Sequence, residues 1–343
     1  SSLIIAWARS FIYPVGVDRC IIGWGKTMEK TIRIGVSGCL LGQRVRYDGG
    51  HKYNPFLVET LGTYVEYLPI CPEAESGLTV PRDPIRLTGD PLAPRLTFHQ
   101  TGEDVTERVE TWVRWRMESL AREDLCGFVF KSRSPSCALE GLKVYGPTGL
   151  PKKGASGLFA RLFRERFPRI PVVDEERLGD SSQREGFIEG LFAYRRTKDL
   201  LSTGPSSADL IAFHGRHKLQ LMAHSVEELR TLGRLVAGRK EHPWVEVLEL
   251  YEGLFLDILK KRSTVKRNTN VLQHMAGYFK KKLSSEARQD LSTTIDRYRL
   301  GTVPLIVPAT LICHYVRLFK EPYLIGQTYL EPTPEELKLR NHG

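Results

Sequence analysis

Four short apolar runs, each closed by a loop rich in glycine, proline or charge, constrain the first half of this chain more than any other feature. Residues 32–36 (IRIGV) run into SGCLLG, and residues 64–70 (YVEYLPI) stop at Cys71, Pro72 and Glu73. Residues 126–130 (CGFVF) run into KSRSPSC, and residues 170–173 (IPVV) stop at Asp174. Between the second and third runs, Val105, Val109, Trp112, Val113 and Met117 recur at helical spacing. Between the third and fourth, Leu158, Leu162 and Phe163 share a helical face. Strands alternating with helices predict an open, mostly parallel, Rossmann-like α/β sheet.

The pattern changes downstream. A connecting helix is expected over about 183–201, followed by the linker STGPSS, and everything beyond reads as helix. The expected organisation is an N-terminal extension over 1–30, an α/β domain over 31–180, a connecting helix and linker over 181–207, and an all-α domain over 208–343. A chain with 41% hydrophobic and 26% charged residues can bury a core in each domain. No apolar stretch reaches the length of a membrane span. The apolar start lacks a basic region before it and a small-residue cleavage site, so it does not read as a secretory signal. A cytoplasmic protein is expected. Its six cysteines are then thiols or metal ligands rather than a disulfide framework.

Three of those cysteines stand out by position. Cys39, Cys71 and Cys137 each fall just past the C-terminal end of a predicted strand. In an open parallel sheet those ends border one crevice, where ligands bind. Three thiolates without an evident fourth suit an iron–sulfur cluster that leaves one iron open. A closed structural zinc site is less apt, because such sites use CxxC pairs and none occurs here. Each cysteine taken singly also reads as a small buried loop residue. Cys20 has a weaker claim, and Cys126 and Cys313 lie in apolar segments that predict core packing. SGCLLG matches neither of the glycine-rich phosphate loops, and no CxxxCxxC run is present.

The loops SGCLLGQRVRYDGGHK, CPEAESGLTVPRDPIRL and KSRSPSC resemble, in order, the signatures of the thiouracil desulfidase family. That resemblance runs from about residue 31 to 178. It implies a 4Fe–4S cluster held by Cys39, Cys71 and Cys137, and replacement of a thiocarbonyl sulfur on a pyrimidine by oxygen from water. Ala138 departs from the family, which has Gly there; a required positive φ would make alanine costly. A soft thiocarbonyl sulfur suits an open iron acting as a Lewis acid. The attacking water then needs a proton acceptor, and Glu73 and Asp48 lie in cysteine-bearing loops. Asp48 reads equally as a turn residue in YDGG, and Glu73 as a first-turn helix carboxylate after Pro72. Ser136 is placed to bond substrate or cluster, or to cap its own turn. Lys131 and Arg133 fit either an anion site or solvated loop charge.

A formal net charge of +10 and a pI near 9.3 favour polyanionic partners. Between Asp257 and Glu286 there is no acid, while Lys260, Lys261, Arg262, Lys266, Arg267, Lys280, Lys281 and Lys282 crowd the interval. Tyr278, Phe279, His274, Asn268 and Asn270 interleave with them, a composition suited to RNA phosphates and bases as well as to a solvated helix face. His214, His217, His224 and His274 lack a matching carboxylate motif, so structural or RNA-contacting roles rank above metal binding. FHGRHKLQLMAHS, NVLQHMAGYFKKKL, RYRLGTVPLIVPATLICHYVRL and QTYLEPTPEELKLRN resemble the YbgA-like helical domain. Fused to a desulfidase-like domain, it is similar to the tRNA 4-thiouridine desulfidases. The resemblance implies that the basic helical domain presents thiolated tRNA to the cluster. Two other functions fit the sequence: desulfidation of free thiouracil-type bases, with a helical domain that serves oligomerisation, and a non-catalytic RNA-binding protein with a structural or sensing cluster.

Overall fold

The computed structural model describes residues 31–146, 151–334, 337, 339 and 340. The N-terminal extension and Cys20 lie outside the described residues. Among the described residues there are eight strands: β1 (Ile32–Ser37), β2 (Val65–Ile70), β3 (Ile85–Asp90), β4 (Ala93–Phe98), β5 (Leu125–Phe130), β6 (Leu142–Tyr145), β7 (Pro151–Ala155) and β8 (Val172–Asp174). They form two four-stranded sheets. The first has the order β2-β1-β5-β8 and is parallel throughout, as the alternation predicts. Its central strand β5 (LCGFVF) is buried at all six positions, which is why it reads as an unbroken apolar run. In register, Ser37 faces Ile70, Val36 faces Val129, and Phe130 faces Asp174. All four strands therefore end along one edge, and the loops bearing Cys39, Cys71 and Cys137 leave from it.

The second sheet, of order β4-β3-β6-β7, is an insertion that the sequence reading does not contain. β3 and β4 form an antiparallel hairpin, β6 runs parallel to β3, and β7 runs antiparallel to β6. Its residues are largely exposed, so hydrophobic alternation is weak.

The first helices are α1 (Pro72–Glu75), α2 (Thr106–Leu120) and α3 (Leu158–Arg166). α2 buries Val109, Val113, Met117 and Leu120 at helical spacing, each contributing about 1.5–3 kcal/mol. α3 sends Phe159 and Phe163 against Phe128 and Phe130 of β5, with Phe128 and Phe163 ring centres 4.9 Å apart. α4 (Ser181–Ser202) starts on an Asp180 cap and lays Leu191 over Gly127. Its Arg195, fully buried, is held by Asp124 at 2.7 Å and Asp199 at 2.5 Å.

The helical half comprises α5 (Ser207–His224), α6 (Val226–Ala237), α7 (Trp244–Lys260), α8 (Val265–Gly277), α9 (Ser285–Arg299) and α10 (Ile306–Phe319). A Ser206–Asp209 capping box fixes the start of α5, and Ser225, Thr264 and Ser284 cap α6, α8 and α9. α5 is a shared wall. Leu210, Phe213 and Leu221 join a core continuous with the sheet, α4, α6 and α7, while Leu219 and Ala223 open onto a second core with α8, α9 and α10. Arg169, just after α3, is ion-paired to Glu252 of α7 and ties the two halves together. No described helix is long and apolar enough to cross a membrane.

Candidate active site

Each cysteine is placed by what happens as its strand ends. Cys39 sits in the 3-10 turn Gly38–Leu41, which closes on Gly42 at φ 91. The following loop folds back over it through Lys52 N–H to Cys39 O at 2.8 Å. Cys71 is the N-cap of α1, and its N–H donates to Glu75 Oε1 at 2.7 Å. Cys137 lies in a turn where its N–H donates to Ser134 O at 3.2 Å. Gly157, at the start of α3, presses against that turn. A Cβ there would stand 2.5 Å from Ser136 C and 2.7 Å from Cys137 N, so only glycine lets α3 come this close. Ala138 has no positive φ, so the alanine at this position costs the backbone nothing.

The three thiols line one cavity of about 540 Å³. Burial, with the neighbouring Cys71 charge behind it, pushes Cys39 up to about 11, against the pull of Lys131 and Arg46. Burial also raises Cys71. Burial raises Cys137 well above its ordinary value, followed by the charges of Cys71, Glu73 and Cys39, while the Ser37 hydroxyl opposes the shift. Cys39 thus feels Cys71, and Cys137 feels both, although they come from loops far apart in sequence. The donors are soft, desolvated and neutral at ordinary pH, and a metal that takes them as thiolates must displace their protons. Among the described residues, no three or more His, Cys, Asp and Glu side chains are gathered so as to hold a metal ion.

Glu73 lines the cavity, and Ser136 lies behind it. Ser136 is fully buried, and its hydroxyl donates to Glu73 Oε1 at 2.9 Å; Ser134 donates to the same oxygen at 3.4 Å. The other oxygen accepts from Arg82 Nη2 at 2.6 Å and Nε at 3.2 Å. Arg82, whose side chain is only 3% exposed, also donates to Val45 O and Thr79 O, each at 3.1 Å. It therefore joins the Cys39 and Cys71 loops directly, and the Cys137 loop through Glu73. Sequence reasoning missed Arg82, although it stands in the quoted CPEAESGLTVPRDPIRL stretch.

A second half-buried pair faces the cavity. Lys131, the first residue past β5, is paired to Glu175, the first residue past β8. Glu175 also accepts from Ser132 N–H at 2.6 Å and Ser132 Oγ at 2.8 Å. Position one past a strand end was the available signal for Glu175. Asp48 stands apart from the cavity. Its exposed carboxylate accepts from Gly50 N–H at 3.0 Å, which holds it below the usual carboxylate range, and pairs with Arg46 at 3.3 Å. That is the turn role, not a proton-transfer position. Arg133 is 83% exposed and paired with Glu176.

The eight basic residues of the helical half separate into two patches. Lys260, Lys261 and Arg262 lie at the end of α7, beside Lys266 and Arg267 at the start of α8. Lys280, Lys281 and Lys282 lie beyond the other end of α8, roughly 20 Å along its axis. Acids from elsewhere in the chain reach some of them: Glu228 pairs with Lys261 at 2.8 Å and Glu321 with Lys282 at 2.7 Å. Burial pushes His217 down to about 3. His224 lies 3.4 Å from Glu189 of α4, the carboxylate partner absent from its own stretch of sequence.

An open parallel sheet with a three-cysteine cavity at its C-terminal edge, continued by a helical half, defines a two-part α/β–α protein. Residues 34–175 match the family model of 2-thiouracil desulfurase, and residues 218–334 match that of a protein family of unknown function, DUF1722. The chain is 35% identical over 156 residues to the uncharacterized protein YbgA of Escherichia coli (strain K12), covering 45% of this chain and 91% of that one. It is 28% identical over 150 residues to the uncharacterized protein YbbK of Bacillus subtilis (strain 168), covering 42% of this chain and 97% of that one. Among solved structures, the [4Fe-4S]-dependent thiouracil desulfidase TudS is 30% identical, with a TM-score of 0.37 over 44% of this chain and 95% of that one. The chain belongs to the YbgA-like family through its helical half, and its α/β half is a 2-thiouracil desulfurase domain.

Proposed function

We propose that this protein removes the sulfur of 4-thiouridine in tRNA, giving uridine and sulfide from a thiocarbonyl and water. Carrying that reading is the convergence of Cys39, Cys71 and Cys137 on one cavity, with Glu73 in its wall and Ser136 bonded behind it. The donor set fits a 4Fe–4S cluster. Three cysteines, with no fourth lining the cavity among the described residues, leave one iron open, and a cluster spreads its ligands over several irons instead of gathering them on a single ion. When bound, the cluster supplies an open iron as a soft Lewis acid for the thiocarbonyl sulfur.

The remaining work falls to the chain's own residues. Glu73 takes the proton of the attacking water at Oε1, the oxygen already bonded by Ser136. Arg82 grips the other oxygen and fixes the carboxylate in one orientation. Ser136, bonded to Glu73 from behind, helps hold Oε1 in place. Ser136 is itself fully buried, so bulk water does not reach Glu73 from that side. The tRNA part of the reading is supported by the net charge of +10, the basic patches of the helical half and the resemblance of the fused architecture to tRNA 4-thiouridine desulfidases.

The test is anaerobic incubation of the cluster-loaded protein with thiolated tRNA, followed by nucleoside analysis. Loss of 4-thiouridine with matching gain of uridine is expected. Turnover of free thiouracil with intact thiolated tRNA would replace the reading by a free-base desulfidase. Intact tRNA and free base together would leave an RNA-binding protein with a structural cluster.

A further inference from the structure

A larger cleft, of about 730 Å³, lies where the α/β half meets the helical half. Arg161 and Arg164 of α3 and the following Arg169 stand on one side. Lys260, Lys261 and Arg262 at the end of α7 stand on the other. Arg177 stands where the cleft approaches the cysteine cavity. The acids in the cleft are largely committed: Glu165 pairs with Arg161, and Glu189 with His224. Arg164 and Arg262 are exposed, and neither has an ion-pair partner among the described residues. Arg161, Arg169, Arg177, Lys260 and Lys261 keep ion pairs, so the free charge on this concave surface is that of Arg164 and Arg262, one on each side, and it raises the local concentration of anions.

The cleft adjoins the cysteine cavity through the chain itself. Glu175 and Glu176 line the cavity, and the next residue, Arg177, lines the cleft. Ser156 lines the cleft, and the next residue, Gly157, packs on Ser136 and Cys137. Cavity and cleft thus lie next to each other along the chain at both places.

We propose that the seam cleft holds the phosphodiester backbone of the RNA whose thiolated base enters the cysteine cavity. The inference rests on the RNA reading above and adds to it that the α/β half contributes phosphate ligands of its own. Arginine forks on both walls suit phosphate oxygens bidentately, and a free base would leave the whole cleft unused.

The test uses full-length, cluster-loaded protein and thiolated tRNA, with affinity measured across a salt series. Both arginines carry exposed, unpaired charge, so Arg164→Ala/Arg262→Ala should keep the wild-type thermal midpoint. The double variant should bind about 10-fold or more weaker near 0.1 M salt, and its plot of log affinity against log salt should flatten by about 1.5. Arg164→Lys/Arg262→Lys should restore most of the slope, because the charge returns without the fork. An alanine variant with wild-type affinity and slope would remove the cleft from the RNA path and leave the substrate reading intact. Weakened binding in both variants with a lowered midpoint would make the arginines structural and overturn the inference. A wild-type protein that desulfurates free thiouracil but shows no salt-dependent tRNA binding would overturn the substrate reading first, and this inference with it.

Discussion

In the cysteine cavity the polar groups are already held by other protein groups: Glu73 by Arg82, Ser134 and Ser136, and Lys131 by Glu175 and Ser132. In the seam cleft Arg164 and Arg262 stand exposed, without ion pairs among the described residues. The difference follows from what each space is asked to do. Breaking a carbon–sulfur bond needs groups fixed before the substrate arrives, in a dry site where a misplaced dipole costs rate. Holding a polyanion needs accessible charge on side chains that adjust, because affinity comes from released counterions and not from one geometry. Damage to the first should abolish chemistry, and damage to the second should weaken binding in proportion to the charge removed.

The largest expected effect sharpens the first half of that contrast. Each of Cys39→Ala, Cys71→Ala and Cys137→Ala should lose the brown iron–sulfur absorbance and all desulfidation, measured after anaerobic purification with iron and sulfide counts. A full complement of cluster in any one variant excludes that cysteine as a ligand. Next in size is Glu73→Gln, which keeps the shape and the Ser136 contact but takes no proton. Turnover should fall by about 100- to 10,000-fold while cluster content and tRNA affinity stay at wild-type values. Unchanged turnover would take Glu73 out of the reaction and make its contacts with Arg82 and Ser136 purely architectural.

The parts of this site differed in how plainly the sequence carried them. The sheet edge was legible because β1 and β5 are buried on both faces, and burial on both faces writes a continuous apolar run. Cys39, Cys71 and Cys137 were placed at that edge because each follows a predicted strand, although β2 before Cys71 is only half-buried. The insertion sheet was not. β3 and β4 are half-exposed, and only the two-residue connection Pro91-Leu92, with Gly89 and Asp90 before it, hinted at a hairpin. Arg82 and Glu175 were equally hidden, since a lone charge in a polar loop looks solvated until tertiary structure buries it. Glu189 and His224 show the same limit. They lie 35 positions apart by number (224−189), on α4 and α5, and meet only because those helices pack.

The smallest predicted effect concerns the floor of the cleft, where the contrast between held and unheld charge is least sharp. Burial, reinforced by the charge of Glu189, pushes Glu185 up to about 7 against the pull of Arg340, and its side chain is 19% exposed. Below its ordinary value of 4.5 this carboxyl is protonated in both the folded and the unfolded chain. As pH climbs towards 7 the unfolded chain ionises first, so stability falls, by an amount on the order of 3 kcal/mol once pH exceeds the folded value. His224 acts in the same direction. Burial alone would lower it, but the Glu189 carboxylate outweighs burial and raises it, so the pair's contribution is complete below 6.5 and fades as pH rises through the raised value. Glu189, brought down to about 2 by His224 against the effect of burial, loses its contribution only in acid below its ordinary 4.5 and is silent above that. Thermal unfolding of wild type and Glu185→Gln at pH 5 and pH 8 isolates the Glu185 part. The wild type should lose more stability over that interval than the variant, with the gap between them shifting by a few kcal/mol. A gap that stays constant from pH 5 to pH 8 would mean that Glu185 is solvated and ionised throughout, and that the cleft floor is an ordinary charged surface like its walls.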